Sequence, residues 1–245
     1  LRKPETIQRI NDWVARRTHK RIPSILRDPL SHAGLVAVNA LYFKDKWKTP
    51  FDPARTRMRP FHPVGRKPAD TAMMESGNRR FMFRQGKRFI AVELPYANDD
   101  FKLVVATTKD RPARIREFSR VMHWLGGKKF SEGDGRVVLP RILDMAAEAD
   151  LLRALDAMGL SPARRRREAF SALTDVPQSL SRVVQKAMLR LDEEGTEAAA
   201  ATAAITYRSV STGNFTSMIV DKPFIFALRD VRAGLVLLSG YIGDV

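Results

Sequence analysis

The sequence has no cysteine. That excludes a disulfide framework, a thiolate metal site and a cysteine nucleophile. It leaves the compartment open, because large secreted domains can fold without disulfides. No apolar run is long enough to span a bilayer as a helix: "GLVAVNALYF" and "GLVLLSGYIG" are about half of the ~20 residues required, so both read as buried strands. Also lacking are the phosphate-cradling patterns G-x-G-x-x-G and G-x-x-x-x-G-K-[ST] and the nucleophile turn G-x-S-x-G; the glycine cluster "GGKKFSEGDG" reads as loop. The four histidines, His19, His32, His62 and His123, stand in separate contexts with no H-E-x-x-H spacing, and each reads as solvated or satisfied in the core. Carboxylates cluster at Asp99–Asp100 and Asp192–Glu194 without any pattern that would surround them with a pocket. These absences leave no candidate enzyme site, metal or cofactor.

What is present is an ordinary globular composition, with 245 residues, 44% hydrophobic and 29% charged, enough for one sizeable core. Forty-three basic against 27 acidic residues give a net charge of +16, which suits a polyanion partner. The excess is mostly arginine spread along the chain. Its one dense run, Arg164, Arg165, Arg166 and Arg167 in "SPARRRREAF", is a candidate polyanion patch beside its simpler reading as a solvated face. The opening "LRKPETIQRINDWV" has neither an initiator Met nor the apolar core of a signal peptide, and reads as the start of a cut chain.

Periodicity orders the rest. Ile7, Ile10, Trp13 and Val14 predict an amphipathic helix over Glu5–Leu26, with Pro4 at its start. Leu35–Lys44 is apolar on both faces, as in a strand at the middle of a covered sheet, with Asn39 as its odd polar group. From Phe51 to Lys109, "RMRPFHP", "ADTAMMES", "RRFMFRQ", "RFIAVELPY" and "FKLVVATT" predict an antiparallel β region. Helical patterns return in "RPARIREFSRVMHWL" and "AAEADLLRALDAMGL", with the strand "GRVVLPRI" between them. "FIFALRD" and "LVLLSGYIG" predict a hairpin around Val231–Gly234. Strands and helices mix without a βαβ rhythm, so the fold class is α+β.

One stretch resists this grammar. "DEEGTEAAAATAAI", Asp192–Ile205, puts a run of small residues directly after the strand "SRVVQKAMLRL". Composition alone reads it as a short exposed helix or a tolerant linker. In chain order, however, "LVAVNALYFKDKWKTPFDP", "ADTAMMES", "AVELPYANDDFKLVVA", "VVLPRI", "FSALTD", "VVQKAMLRLDEEGTEAAAATAA", "DKPFIFALRD" and "GLVLLSGYIG" resemble successive blocks of the serpin family of protease inhibitors. The resemblance runs over essentially the whole chain, and the acidic pair, Gly, Thr and small-residue run at fixed offsets make it specific.

The resemblance implies a single serpin domain over 1–245, incomplete at its N-terminus, with mixed β-sheets, surrounding helices and an exposed reactive-centre loop at about 193–220. It implies a monomeric suicide-substrate inhibitor of a serine protease, not an enzyme, acting outside the cell. Glu193, Glu194, Gly195, Thr196, Glu197, Ala198, Ala199, Ala200, Ala201 and Thr202 match the hinge. After cleavage the loop inserts as a strand between Leu35–Phe43 and Val183–Leu191. Thr196, Ala198, Ala200, Thr202 and Ala204 then share one face by the two-residue strand period, and all are small enough to enter a packed interior. Counting the family's usual span from Glu193 puts the scissile bond at Ser209-Val210, which suits an elastase- or subtilisin-like protease; a loop one residue shorter puts Arg208 there and suits a trypsin-like one. Asn39 matches the family's buried shutter asparagine, Gln185 replaces the histidine common in the partner strand, and Trp47 matches the breach tryptophan. Gln bonds as neutral His does, but a pH-sensitive element is lost. The alternative function is a non-inhibitory serpin-fold binding protein, a carrier or a polyanion binder, resting on the charge and on Arg164–Arg167.

Overall fold

Alternating and apolar runs become strands wherever a neighbour satisfies their backbone. The computed structural model describes residues 4–27, 34–161, 166–196 and 215–245. It divides into two compact units, Leu1–Phe43 with Asp144–Leu189, and Lys44–Leu143 with Arg190–Val245.

In the first unit α1 (Pro4–Arg17) turns Ile7 and Val14 inward. They pack with Ile22, Ile25, Leu26 and Val184, and with Val36, Val38 and Ala40 of β1 (Leu35–Leu41). The helix ends nine residues before the predicted Leu26. His19 and Lys20 take positive φ values of 49° and 63°, a conformation that cannot continue a right-handed helix. The Thr18 hydroxyl donates to Val14 O at 2.9 Å and accepts from Ile22 N at 3.1 Å, closing the turn. Beyond it, buried Asn11 acts as a bracket: its Oδ1 accepts from Ile25 N at 2.9 Å and Leu26 N at 3.0 Å, and its Nδ2 donates to Leu26 O at 2.8 Å. This unit's sheet has the order β1-β10-β9, with β9 at Ile142–Asp150 and β10 at Leu180–Leu191. "AAEAD", predicted helical, lies wholly in β9, so sheet pairing overrides its propensity. Only Leu152–Leu155 forms an α-helix there, followed by a wide turn over Asp156–Leu160 with Gly159 at φ 100°.

The second unit is built on antiparallel strands in the predicted places: β3 (Arg57–Phe61), β4 (Ala69–Glu75), β5 (Arg79–Gln85), β6 (Phe89–Pro95) and β7 (Phe101–Thr108). With β8 (Ser131–Pro140), β12 (Thr216–Ile219) and the hairpin β13 (Phe224–Asp230) and β14 (Leu235–Ile242) they form one sheet ordered β14-β13-β7-β6-β5-β8-β4-β3. β12 joins it parallel to β8. The predicted helix after β7 is a 3-10 helix, Ile115–Gly126, closed by Gly127 in the left-handed region at φ 66°. It packs Phe118, Val121, Trp124 and Leu125 onto Phe89, Ala91, Val104, Ala106, Ile225 and Ala227.

Both runs expected as buried strands are strands, but neither is covered throughout: Ala37 and Asn39 of β1 and Leu235 and Val236 of β14 are exposed. Ala37 and Asn39 lie on the face of β1 opposite Val36, Val38 and Ala40, which pack with Ile7 and Val14 of α1. No helix among the described residues is long and apolar enough to cross a membrane.

Asn11→Ala removes the bracket and strands two buried N–H groups and a carbonyl. We expect a loss of about 2–4 kcal/mol, read by urea unfolding, with Asn11→Asp losing less because it keeps the acceptor.

Candidate functional site

The acidic pair and glycine after β10 make a tight reversal. Asp192 Oδ1 accepts from the amides of Glu194 and Gly195, each at 3.1 Å, and Asp192 N donates to Gly195 O at 3.0 Å. Such a side-chain-to-backbone bond two residues on is the reason Asp starts turns. The reversal delivers β11 (Gly195–Thr196) antiparallel to β2 (Asp45–Lys46).

Three successive carbonyls of this turn are then held by one short segment. Trp47 Nε1 donates to Asp192 O at 2.9 Å, Phe51 N to Glu193 O at 2.7 Å, and Trp47 N to Glu194 O at 2.8 Å. Gly195 is required twice over. Its φ is 152°, and a Cβ there would lie 2.3 Å from Asp45 O and 2.6 Å from Lys46 Cα, both backbone atoms.

Side chains complete the clamp. Glu193, only 7% exposed, accepts from the Thr56 hydroxyl at 2.6 Å and the Arg141 guanidinium at 3.5 Å. The Thr196 hydroxyl lies 2.8 Å from the Tyr96 phenol in the interior. Tyr96 stacks on Trp47 with centroids 4.6 Å apart and an 18° interplanar angle, and Phe51 meets Trp47 edge-on at 6.2 Å. Trp47 therefore does more than fill the core: both its nitrogens bind the turn. Tyr96, Thr56 and Arg141 escaped sequence reading. Tyr96 alone carried a signal, as the aromatic that ends an apolar strand at "ELPY".

In the other unit, β1 and β10 pair directly and in parallel, with Asn39 opposite Gln185 in the register. Gln185 Nε2 donates to Asn39 Oδ1 at 3.4 Å. Asn39 is exposed here, whereas the resemblance implied a buried residue; its strand is the sheet edge. The strands expected to flank the inserted loop are thus each other's neighbours. The remaining hinge residues, Glu197, Ala198, Ala199, Ala200, Ala201 and Thr202, and the bait residues Arg208, Ser209 and Val210 lie outside the described residues, as do Arg164, Arg165 and the side chain of Arg167.

The fold is that of an α+β protein of serpin-like architecture. The family model described as Serpin (serine protease inhibitor) matches residues 1–245, and the chain belongs to that family. Among its relatives are plasminogen activator inhibitor 1 of Sus scrofa, 30% identical over 95% of this chain, and intracellular coagulation inhibitor 1 of Tachypleus tridentatus, 30% identical over 100%. Each is covered over 60% of its own length, so the chain spans well under two thirds of these relatives. The fold is that of the thermophilic serpin tengpin in its native state, with a TM-score of 0.86 at 22% identity over 100% of this chain and 64% of the other. Native protease nexin-1 with heparin gives 0.80 at 24% identity, covering 98% and 65%.

Burial pushes the Tyr96 phenol above the ordinary tyrosine range; the Thr196 bond opposes the rise and the Asp45 carboxylate adds to it. The folded state therefore favours the neutral phenol. Its contribution is complete below the ordinary tyrosine pKa and is lost as pH climbs above it. We expect Tyr96→Phe to flatten the alkaline decline in stability, measured by urea unfolding at increasing pH, and ultraviolet absorbance to show one tyrosine ionising only as the protein unfolds.

Proposed function

We propose that the protein is an inhibitor of serine-type endopeptidases that acts as a suicide substrate. The observation that carries this is the direct parallel pairing of β1 and β10, followed in the chain by a clamped turn and a run of small residues. In this reading the protease serine attacks the bait carbonyl, the peptide nitrogen leaves with a proton from the protease histidine, and an acyl-enzyme forms. The freed end of the loop then enters between β1 and β10. Thr196 exchanges its bond to Tyr96 for the sheet, and Ala198, Ala200, Thr202 and Ala204 follow on the same face. Each new strand residue is worth on the order of 1 kcal/mol in net hydrogen bonding, summed over two edges. The protease is dragged along, and distortion of its oxyanion hole blocks deacylation.

Arg208 as bait selects a trypsin-like protease, with its guanidinium paired to an acidic pocket group; Ser209 selects an elastase- or subtilisin-like one. The proposal keeps the family-implied monomer and extracellular site of action, although the Tachypleus relative is named as intracellular.

The test uses the full-length natural protein with trypsin and, separately, subtilisin. A band at the summed mass that survives SDS supports the proposal, and the mass of the released C-terminal peptide distinguishes Arg208 from Ser209. Clean cleavage without a complex overturns it. Thr196→Arg puts a charge on the face that must be buried, so we expect cleavage to continue while the complex band disappears.

A second reading, polyanion binding, is favoured by a surface that sequence density did not single out. Residues 84–88 and 109–129 together carry ten basic side chains against two acidic ones, Asp110 and Glu117. They are one surface: Lys109 N donates to Arg88 O at 2.9 Å, Arg84 reaches His123 Nε2 at 3.2 Å and Lys128 O at 3.0 Å, and Glu117 is gripped by Arg111 at 2.7 Å and Arg88 at 3.1 Å. Those two arginines, Arg111 first, hold the Glu117 carboxyl down at about 2. Arg114, Arg116 and Arg120 are exposed, with no carboxylate partner among the described residues. We expect salt-dependent retention on immobilised heparin, with Arg116→Ser/Arg120→Ser eluting at clearly lower salt than Arg166→Ser. Equal elution removes this surface from consideration.

A further inference from the structure

Arg79 opens β5, and its guanidinium lies over two rings. Its guanidinium carbon sits 5.4 Å from the Phe51 ring centroid and 4.9 Å from that of Phe81. Its Nη1 donates to Thr49 O at 2.8 Å and to Pro50 O at 3.3 Å. Pro50 O belongs to the same peptide group as Phe51 N, and Phe51 N donates to Glu193 O at 2.7 Å. In a trans peptide the C=O and N–H point opposite ways. Arg79 therefore binds one side of the peptide plane while Glu193, in the clamped turn, binds the other. A cationic donor on the carbonyl polarises the peptide and strengthens its N–H as a donor, as in any hydrogen-bonded chain.

We infer that Arg79 is a positioning residue for the root of the loop: it fixes the Pro50–Phe51 peptide in the orientation that holds Glu193, and so sets how readily the turn at Asp192–Gly195 lets go. Burial lowers the guanidinium to about 10, and it remains a cation at neutral pH. Contact with the two rings holds the guanidinium in place over both faces, beside the carbonyls it donates to. Arg suits the place because its planar fork can stack and donate at once; Lys offers the charge without the fork. The functional meaning of the inference rests on the proposed inhibitory reading, whereas the geometry it describes does not.

The experiment is hydrogen exchange by mass spectrometry on the full-length protein and on Arg79→Met, Arg79→Lys and Phe81→Leu. Arg79→Met is expected to speed exchange on the order of tenfold in the peptides covering 47–53 and 192–196, with the rest of β5 and β6 unchanged. Arg79→Lys is expected to recover part of that protection. Phe81→Leu keeps the hydrogen bonds, and is expected to give a smaller increase confined to the same two peptides. Unchanged exchange in both peptides overturns the inference. So does an equal increase across β5 and β6, which would make Arg79 a general stabiliser of the sheet. In parallel, the fraction of each protein able to form the SDS-stable complex is followed during incubation at 37 °C and is expected to fall faster for Arg79→Met than for wild type. If wild type forms no complex at all, the inhibitory reading fails, and the exchange data still decide the role of Arg79.

Discussion

Three consecutive carbonyls, those of Asp192, Glu193 and Glu194, each take a hydrogen bond from the five residues Trp47–Phe51. Every other feature of the loop root follows from keeping those bonds. Buried carbonyls without partners are costly, so the chain cannot leave this place by degrees. The Asp192 side chain closes the turn, Gly195 lets β11 approach β2 closer than any Cβ permits, and the Trp47 ring is pinned between Tyr96 and Phe51 so that its indole nitrogen points at Asp192. The acidic pair is therefore no solvated run. Glu193 is buried against Thr56 and Arg141, and a charge placed there is tolerated only because both partners are present.

The bond between Thr196 and Tyr96 is of another kind. It joins two hydroxyls, either of which can donate, and it secures Thr196, the last residue of β11. A neutral pair of this sort contributes about 1 kcal/mol net, less than the charged clamp on Glu193. The hold is thus graded along the chain, firm at Asp192–Glu194 and lighter at Thr196. The proposed inhibitory reading, in which the loop stays out before cleavage and moves in afterwards, needs that gradient. A uniform hold of the stronger kind would oppose insertion, and none at all would leave the small-residue segment free to pair wherever a strand edge offered itself.

How far the sequence foretold this depends on the range of the interactions. The β3–β7 strands were legible because alternation and turn residues are local signals. Long-range facts were not. "AAEAD" has the composition of a helix, and only its neighbours in the sheet make it a strand. The α1 helix was overextended because Ile22, Ile25 and Leu26 continue its apolar pattern, while the Asn11 side chain that holds them in a different conformation looks, in sequence, like any polar residue on a helix. The clamp was invisible for the same reason: Thr56, Tyr96, Arg141 and Glu193 come from four separated segments, and no spacing rule links them. The basic surface was missed because its charge is split between a hairpin turn and a 3-10 helix, whereas Arg164–Arg167 are contiguous in sequence.

Glutamine at position 185 meets what the register asks of a side chain there. Gln185 faces Asn39 directly across a parallel pair, and the contact of 3.4 Å is a long hydrogen bond between two amides. Parallel ladders are slightly weaker per residue than antiparallel ones, and Asn39 is exposed, so solvent competes for the same groups. A group that bonds equally well to a neighbour or to water adds little to the closed state and loses little when the strands part. Imidazole in the same place would add a proton-dependent cost between pH 5 and 8, and glutamine removes it. The closed pair is then governed by backbone hydrogen bonding and by the packing of Val36, Val38 and Ala40 around Val184, none of which titrates.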